Sequence, residues 1–544
     1  MRFRFALALI VVVSPHMWAA PTTGPAAAAP WLLRVERDIA ALPAQTPQEM
    51  AVFQPGSFAL WLYQVAPTPQ RRESAMRYLD AACRTEIDKR QSDEQVRSAY
   101  IADAYFHAML NDPDVAKQLL KKAEAPTGTR PTTDQNVSWG VNFMQSQMQG
   151  AALLRLKDEA GFERLNMDEI QSDLVASDLA RWGFKEEADK AYGWAARQRS
   201  FAATAPSQSP FHDPQVEQLD LVRAYIHSGE LTKASAEAAR LREMDRKADT
   251  VWSGSAYVDL AKAFAKASDH DRYIATRDAF VSLGGKSYRQ DEQDMLGVCV
   301  HAHDPTGFNA IADIYCEQLE PLARGGPRDQ LDYANEMARL APLFYRMGHA
   351  DKCRWAIGNA ERAMQRLERD AQATDIKPAE RAQAYVWIAC AWATVDDTAG
   401  VARNKVAALR SAKLGDMEWD NMWDDVVDAY ADNGHFADAK AAIRDVHADT
   451  YGILRANIAN RQGQFGWFSA AWQTVAAIPD AKRPITIYNL VVQEVQAGQL
   501  DGLAPRIDAL ASAYDRAAAD LAASATLLGR QSVGNLETFL SKDW

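Results

Sequence analysis

The chain has 544 residues, 48% of them hydrophobic and 24% charged, which is enough apolar material for a large core. Its formal net charge of -12 and pI near 5.4 argue against a nucleic-acid partner, because phosphate binding needs a concentrated Lys/Arg face and no such run occurs. Walker loop, GxSxG, HExxH and CxxC patterns are all absent, so no common catalytic or cofactor signature is present.

The first residues, MRFRFALALIVVVSPHMWAAPTTGPAAAAP, set two arginines ahead of an apolar run, then Ser14-Pro15 and small residues. This is the pattern of a secretory signal peptide over residues 1–28, with cleavage after Ala20 or within 26–29. The apolar run is too short to span a bilayer, and no later stretch is long and apolar enough to do so. The sequence therefore predicts an exported chain, periplasmic or secreted, with no stable membrane insertion after cleavage.

Residues 29–201 read as N-terminal helical repeats. RRESAMRYLDAACRTEIDKR is one helix; residues 99–125 form a hairpin with Ala104 before the turn, Asn111 at it and Ala116 beyond; longer helices surround Trp139 and Trp182. Two loops rich in Pro, Ser, Thr and Ala, APTGTRPTT and AATAPSQSPFHDP, divide the array, and the second marks the better boundary. Residues 215–530 read as C-terminal helical repeats and 531–544 as a polar tail that caps the end. Pro342 sits where a helix interior is expected, so it kinks that helix or marks an earlier start for its second half. LASAYDRAAADLAASATLLGR reads as a long terminal helix. No sustained alternation of β-branched residues occurs, and the class is all-α.

The stretch DNMWDDVVDAYADNGHFADA, residues 420–439, explains the array. Trp423, Val426, Val427 and Tyr430 share one helical face, Asn433-Gly434 ends it, and Phe436, Ala439, Ala442 and Ile443 begin the face of a second helix. A short turn makes the two antiparallel, and the small Ala439, five residues after the glycine, lets them approach. These positions resemble the helix-turn-helix of a tetratricopeptide repeat. Further copies anchor on Gly183 with Ala188, Gly229 with Ala234, Gly307 with Ala312, Gly348 with Cys353, Gly463 with Phe468 and Gly498 with Leu503, with degenerate ones near Ser268 and Asp396. Anchors recur roughly every forty residues, in the range of paired-helix solenoids. The expected architecture is an α-solenoid of stacked antiparallel hairpins, a tetratricopeptide-like superhelix.

The resemblance implies that the first helix of each hairpin faces a concave groove. It would place Asn421, Asp424 and Asp428 there from one repeat and Asn457, Asn460 and Arg461 from the next. Asparagines of this kind clamp the backbone of an extended peptide, and Arg461 suits a carboxylate. The implied function is a non-catalytic scaffold for a protein or peptide partner, with no cofactor. A rival reading is an exported (α/α)-toroid enzyme acting on polysaccharide. Chain ends that meet favour the toroid; an elongated superhelix favours the solenoid.

Five cysteines are too few and too odd in number for a disulfide framework. Cys299 and Cys316 lie symmetrically about Gly307, and Cys353 and Cys390 about an inter-hairpin loop, so each pair is a candidate bridge, with Cys83 left over. The competing reading is five small packing residues, since Cys353 occupies the place of Ala439. His301, His303 and Asp304 are the one cluster resembling a metal site, but a solvated helix terminus explains them, and no metal or catalytic residue is assigned. Asp424-Asp425 and Asp396-Asp397 read as solvent-facing pairs. Among the 15 tryptophans, Trp423 and Trp472 fall on core positions, whereas Trp355, Trp419 and Trp467 are less clearly buried.

Overall fold

The computed structural model describes residues 24–42, 55–89, 93–124, 139–165, 182–204, 214–246 except 228, 251–370, 376–414, 423–446, 450–479 and 483–529, with isolated residues between 172 and 179. The described elements are helical: α1 (Pro25–Ala40), α2 (Pro55–Val65), α3 (Pro69–Lys89), α4 (Asp93–Met109), α5 (Pro113–Glu124), α6 (Trp139–Arg155), α7 (Glu159–Arg164), α8 (Lys185–Thr204), α9 (Pro214–His227), α10 (Leu231–Asp245), α11 (Ser253–Lys266), α12 (His270–Val281), α13 (Arg289–His301), α14 (Pro305–Arg324), α15 (Pro327–Arg346), α16 (Ala350–Arg369), α17 (Pro378–Thr394), α18 (Thr398–Leu414), α19 (Asp424–Asp432), α20 (Phe436–Ala442), α21 (Tyr451–Gln464), α22 (Phe468–Val475), α23 (Arg483–Gln496), α24 (Leu503–Asp508) and α25 (Ala513–Leu527). None of them is long and apolar enough to cross a membrane. The chain divides into two compact units, residues 79–430 and a second built from 1–78 with 431–544.

One backbone device recurs at the hairpin turns. Asn111, Lys157, Gly183, Gly229, Ser268, His303, Gly348, Asp396, Gly434, Gly466 and Gly498 all have φ between 51° and 84°. This left-handed conformation reverses the chain at a helix end, and the next N–H reaches back to the carbonyl five residues earlier. Asp112 donates to His107 O at 2.8 Å, Glu230 to Tyr225 O at 2.9 Å, His349 to Phe344 O at 2.8 Å and Trp467 to Gln462 O at 2.7 Å. Five residues past each turn residue stand Ala116, Phe162, Ala188, Ala234, Tyr273, Phe308, Cys353, Val401, Ala439, Ala471 and Leu503, none more than 6% exposed. The spacing first read at Gly434 and Ala439 therefore holds throughout, but the buried residue need not be small. At four of these turns an Asp follows the left-handed residue and its side chain caps the new helix: Asp158 accepts from the Gly161 N–H at 2.8 Å and Asp397 from that of Gly400 at 2.8 Å, with Asp269 and Asp304 placed likewise.

Two expected turns are displaced. The turn assigned to Gly307 lies at His303, and Gly307 sits inside the first turn of α14, where a Cβ would collide with Arg277 and Asp304. The turn assigned to Gly463 lies at Gly466; Gly463 is a buried residue of α21, held small by Gln493 and Leu490. In both cases a glycine demanded by packing mimics one demanded by φ. Pro342 does not divide its helix: α15 runs unbroken through it, losing one backbone hydrogen bond near its end.

In the unit 79–430, α9, α11, α13, α15 and α17 lie side by side as one layer, and α10, α12, α14, α16 and α18 each pack on the partner that precedes them. Apolar residues such as Leu260, Phe264, Leu296, Phe308, Met337 and Phe344 fill the space between the layers.

In the other unit α21 and α22 pack as a hairpin, α21 lies on α23, and α23 lies on α25, which also carries α1. The alanine-rich terminal helix is where it was expected. Its small side chains, Ala517, Ala518, Ala522 and Ala525 among them, are buried and let helices close on it from two sides. The first and last described helices thus touch within this unit. The Gly24 N–H donates to Leu527 O at 2.9 Å, and Arg34 donates to Asp520 Oδ1 at 2.8 Å and to Asp508 Oδ2 at 3.0 Å. Ala28 is fully buried in this contact-bearing helix, so a leader boundary at residue 28 would remove the first turn of α1. Cleavage after Ala20 leaves it whole. Residues 1–23 and the tail 531–544 lie outside the described residues.

Two expected outcomes follow from this packing. Ala439→Leu, which overpacks a fully buried site, should lower stability by about 1–3 kcal/mol in urea unfolding followed by helical circular dichroism. Gly434→Ala, at φ 81° with Phe465 3.3 Å from the new Cβ, should cost about 1 kcal/mol or more. A further outcome concerns pH. Burial pushes the Asp520 carboxyl up to about 7, against the pull of Arg34. The folded state therefore keeps a proton that the unfolded chain has released above its ordinary value of about 4, and stability from this group falls as pH rises from there to about 7. Asp520→Asn keeps the Arg34 hydrogen bond and removes the charge, so the loss of stability between about pH 5 and pH 8 should shrink. Glu292, which burial likewise pushes up to about 7, leaves a residual slope of the same sign.

Candidate functional site

The first-helix layer of the unit 79–430 carries a row of side-chain pairs, each joining one repeat to the next. Arg223 on α9 meets Asp259 on α11 at 2.9 Å, and Lys262, one turn along α11, meets Asp294 on α13 at 3.2 Å. Gln293 on α13 donates to Glu336 on α15 at 2.7 Å, and Arg328 on α15 reaches Glu380 on α17 at 2.5 Å. Arg339 lies over the Trp387 ring at 4.9 Å. Asp259 and Lys262 on α11, and Glu336 and Arg339 on α15, are three residues apart and share a face, so each of these two helices offers one group backward and one forward. The charged pairs are well exposed, with side-chain accessibilities of 45%/28%, 49%/41% and 55%/32%. Exposed pairs are worth only about 0–1 kcal/mol each, so a ligand can displace them at small cost.

The residues expected in the groove fall in two different units. Asp424 and Asp428 are half-buried on α19 within the unit 79–430, whereas Asn457, Asn460 and Arg461 belong to α21 of the other unit. Asn421 and Trp419 lie outside the described residues. Arg461, expected to take a ligand carboxylate, is already held by Asp432 at 2.5 Å and by Gln464 at 2.7 Å. Burial first, and then the Asp425 charge, hold the Asp424 carboxyl above its ordinary range. Burial also raises Asp425, opposed by Arg339 and Gln383.

Other candidates turn out to be parts of the scaffold. His303 is the left-handed turn residue, and Asp304 caps α14 through the Gly307 N–H at 2.9 Å while accepting from Tyr273 at 3.0 Å and Arg277 at 2.6 Å. Burial opposes ionisation of Asp304, but these three donors outweigh it and hold the carboxyl below its ordinary value. Asp396 is likewise a turn residue and Asp397 a cap. Of the two readings of the cysteines, the candidate bridges Cys299–Cys316 and Cys353–Cys390 are not formed: all four are free thiols. Burial pushes Cys299 and Cys316 up to about 11 and Cys353 up to about 12, which suits packing residues. Cys353 occupies the buried position five past Gly348. Trp423 is buried as expected; Trp355 and Trp467 are 47% and 53% exposed. One cluster escaped the sequence reading: His107 with Asp80 and Asp103. Its only sequence signal is the Asp103/His107 spacing of one helical turn.

No protein-family description matches the chain, and no curated protein does. Among solved structures it is similar to the pentatricopeptide repeat protein PPR10 from maize, at 12% identity over 95% of this chain and 89% of that one, with a TM-score of 0.28. The expectation that nucleic acid is no partner is withdrawn, because it rested on net charge and sequence runs alone. Net charge is a sum over the whole molecule, and phosphate recognition needs only a local row of cations. The chain itself is an all-α, tetratricopeptide-like helical-repeat protein.

Proposed function

We propose that the protein is an exported, non-catalytic scaffold that binds a protein or peptide partner along the first-helix layer of the unit 79–430. The observation that supports this reading is the inter-repeat row of exposed, weakly bound charges of both signs, Arg223–Asp259, Lys262–Asp294 and Arg328–Glu380. A polypeptide carrying both signs can exchange with such pairs one repeat at a time, and the neighbouring amides of Gln290 and Gln293 suit its backbone. The leader pattern in residues 1–28 supports export.

A second reading, the exported (α/α)-toroid enzyme acting on polysaccharide, draws support from one observation, the packing of α1 on α25. Digestion of cell-wall or storage polysaccharide by the purified chain would favour it over the scaffold.

The scaffold reading is tested by a photo-crosslinking residue at Gln290, with Arg223→Glu, Lys262→Glu and Arg328→Glu combined as the control. Protein adducts formed by the parent and reduced about tenfold or more in the charge-reversed chain are expected. Adducts that ribonuclease removes, or protein adducts unaffected by the reversal, would sink the proposal.

A further inference from the structure

His107 closes α4 with both ring nitrogens against carboxylates. Nε2 lies 2.8 Å from Asp80 Oδ1 and 3.8 Å from Asp103 Oδ1, and Nδ1 lies 3.2 Å from Asp112 Oδ2. Asp103 precedes His107 by one turn of the same helix, Asp80 comes from α3, and Asp112 follows the left-handed turn at Asn111. The ligand atoms of Asp80, Asp103 and His107 all lie within 4.8 Å of one another. His107 and Asp103 are buried, at 5% and 7% exposure, while the Asp80 side chain keeps 30%.

A neutral imidazole has one N–H and one lone pair. Carboxylates on both sides would leave that lone pair facing an anionic oxygen, so a positive charge belongs at one of the two contacts beyond the single ring proton. A second proton on Nε2 would serve Asp80 at 2.8 Å, since Asp103 at 3.8 Å is beyond hydrogen-bond reach. A divalent ion would engage both. Bonds of about 2.0–2.2 Å set ligand atoms about 3.0–3.5 Å apart, a spacing that 2.8 and 3.8 Å bracket. Asp112 then takes the Nδ1–H, which fixes the tautomer with Nε2 toward the ion, as an outer carboxylate does for metal-bound histidine.

We propose that Asp80, Asp103 and His107 bind a divalent transition-metal ion, with Asp112 as the positioning residue. One imidazole and two carboxylates suit Zn2+ or Mn2+, and the exposed Asp80 side leaves the remaining coordination to water. The ion would tie α3 to α4 and to the turn that launches α5. This inference goes beyond the scaffold reading and does not depend on it.

The full chain, stripped with chelator and titrated with ZnCl2 and with MnCl2 by calorimetry, is expected to bind one ion and to gain thermal stability with it. Asp80→Asn, at the exposed ligand, should lose the binding while keeping the helical circular dichroism. Asp112→Asn should weaken it about 10- to 100-fold with both inner carboxylates intact. Binding of neither ion, or equal binding by the parent and Asp80→Asn, would overturn the proposal. So would nitrogen NMR showing both His107 nitrogens protonated in the presence of saturating metal.

Discussion

The architecture depends on one local hydrogen bond, donated by the residue after a left-handed turn to the carbonyl five positions back. It ends a helix, satisfies a carbonyl that would otherwise lack a partner, and aims the next helix back along the first. The residue five past the turn then falls on the inner face and is buried in each hairpin where the turn is described. Because only the turn and this one register are constrained, helix length is free. α20 has 7 residues and α14, α15 and α16 have 20 each, yet the junctions are alike. This is why the repeat spacing is irregular.

Charge is used in two different ways. Inside, it is locked. Asp304 serves Gly307, Tyr273 and the buried Arg277 together, and Asp520 anchors Arg34 where α1 lies on α25. Removing one partner of the Asp304 set leaves an uncompensated charge, a loss of about 3–5 kcal/mol. Along the first-helix layer the same residue types form exposed pairs that water and salt already weaken. The distinction between rigid and exchangeable charge, rather than the number of charges, separates the surface suited to binding from the framework that holds it in place.

The His107 cluster belongs to neither class. Its histidine and Asp103 are buried, Asp80 and Asp112 are part-exposed, and three carboxylates stand around the two ring nitrogens. Its position at the first left-handed turn links it to the same device, since Asp112 occupies the place that Asp158, Asp269, Asp304 and Asp397 hold in later hairpins. There the Asp caps its own helix; here it meets the ring that ends the preceding one.

What the sequence alone determined was whatever is local in the chain. The all-α class and the turns at Asn111, Gly183, Gly229, Gly348, Gly434 and Gly498 were legible because a left-handed residue and the buried position beyond it are only five residues apart. Even the degenerate turns at Ser268 and Asp396 fell on the expected residues. Local signals failed where one residue type serves two ends, as with Gly307 and Gly463, which are glycine for want of space, and at Lys157, which carries no turn signature. Tertiary structure decided what joins distant positions: the 486-residue reach from Arg34 to Asp520, the inter-repeat row, and the meeting of Asp80 with His107. The groove residues named from two successive repeats fall in different units, a division that no local signal marks. Turn chemistry is set by neighbours along the backbone, whereas a site is set by which helices the packing makes adjacent.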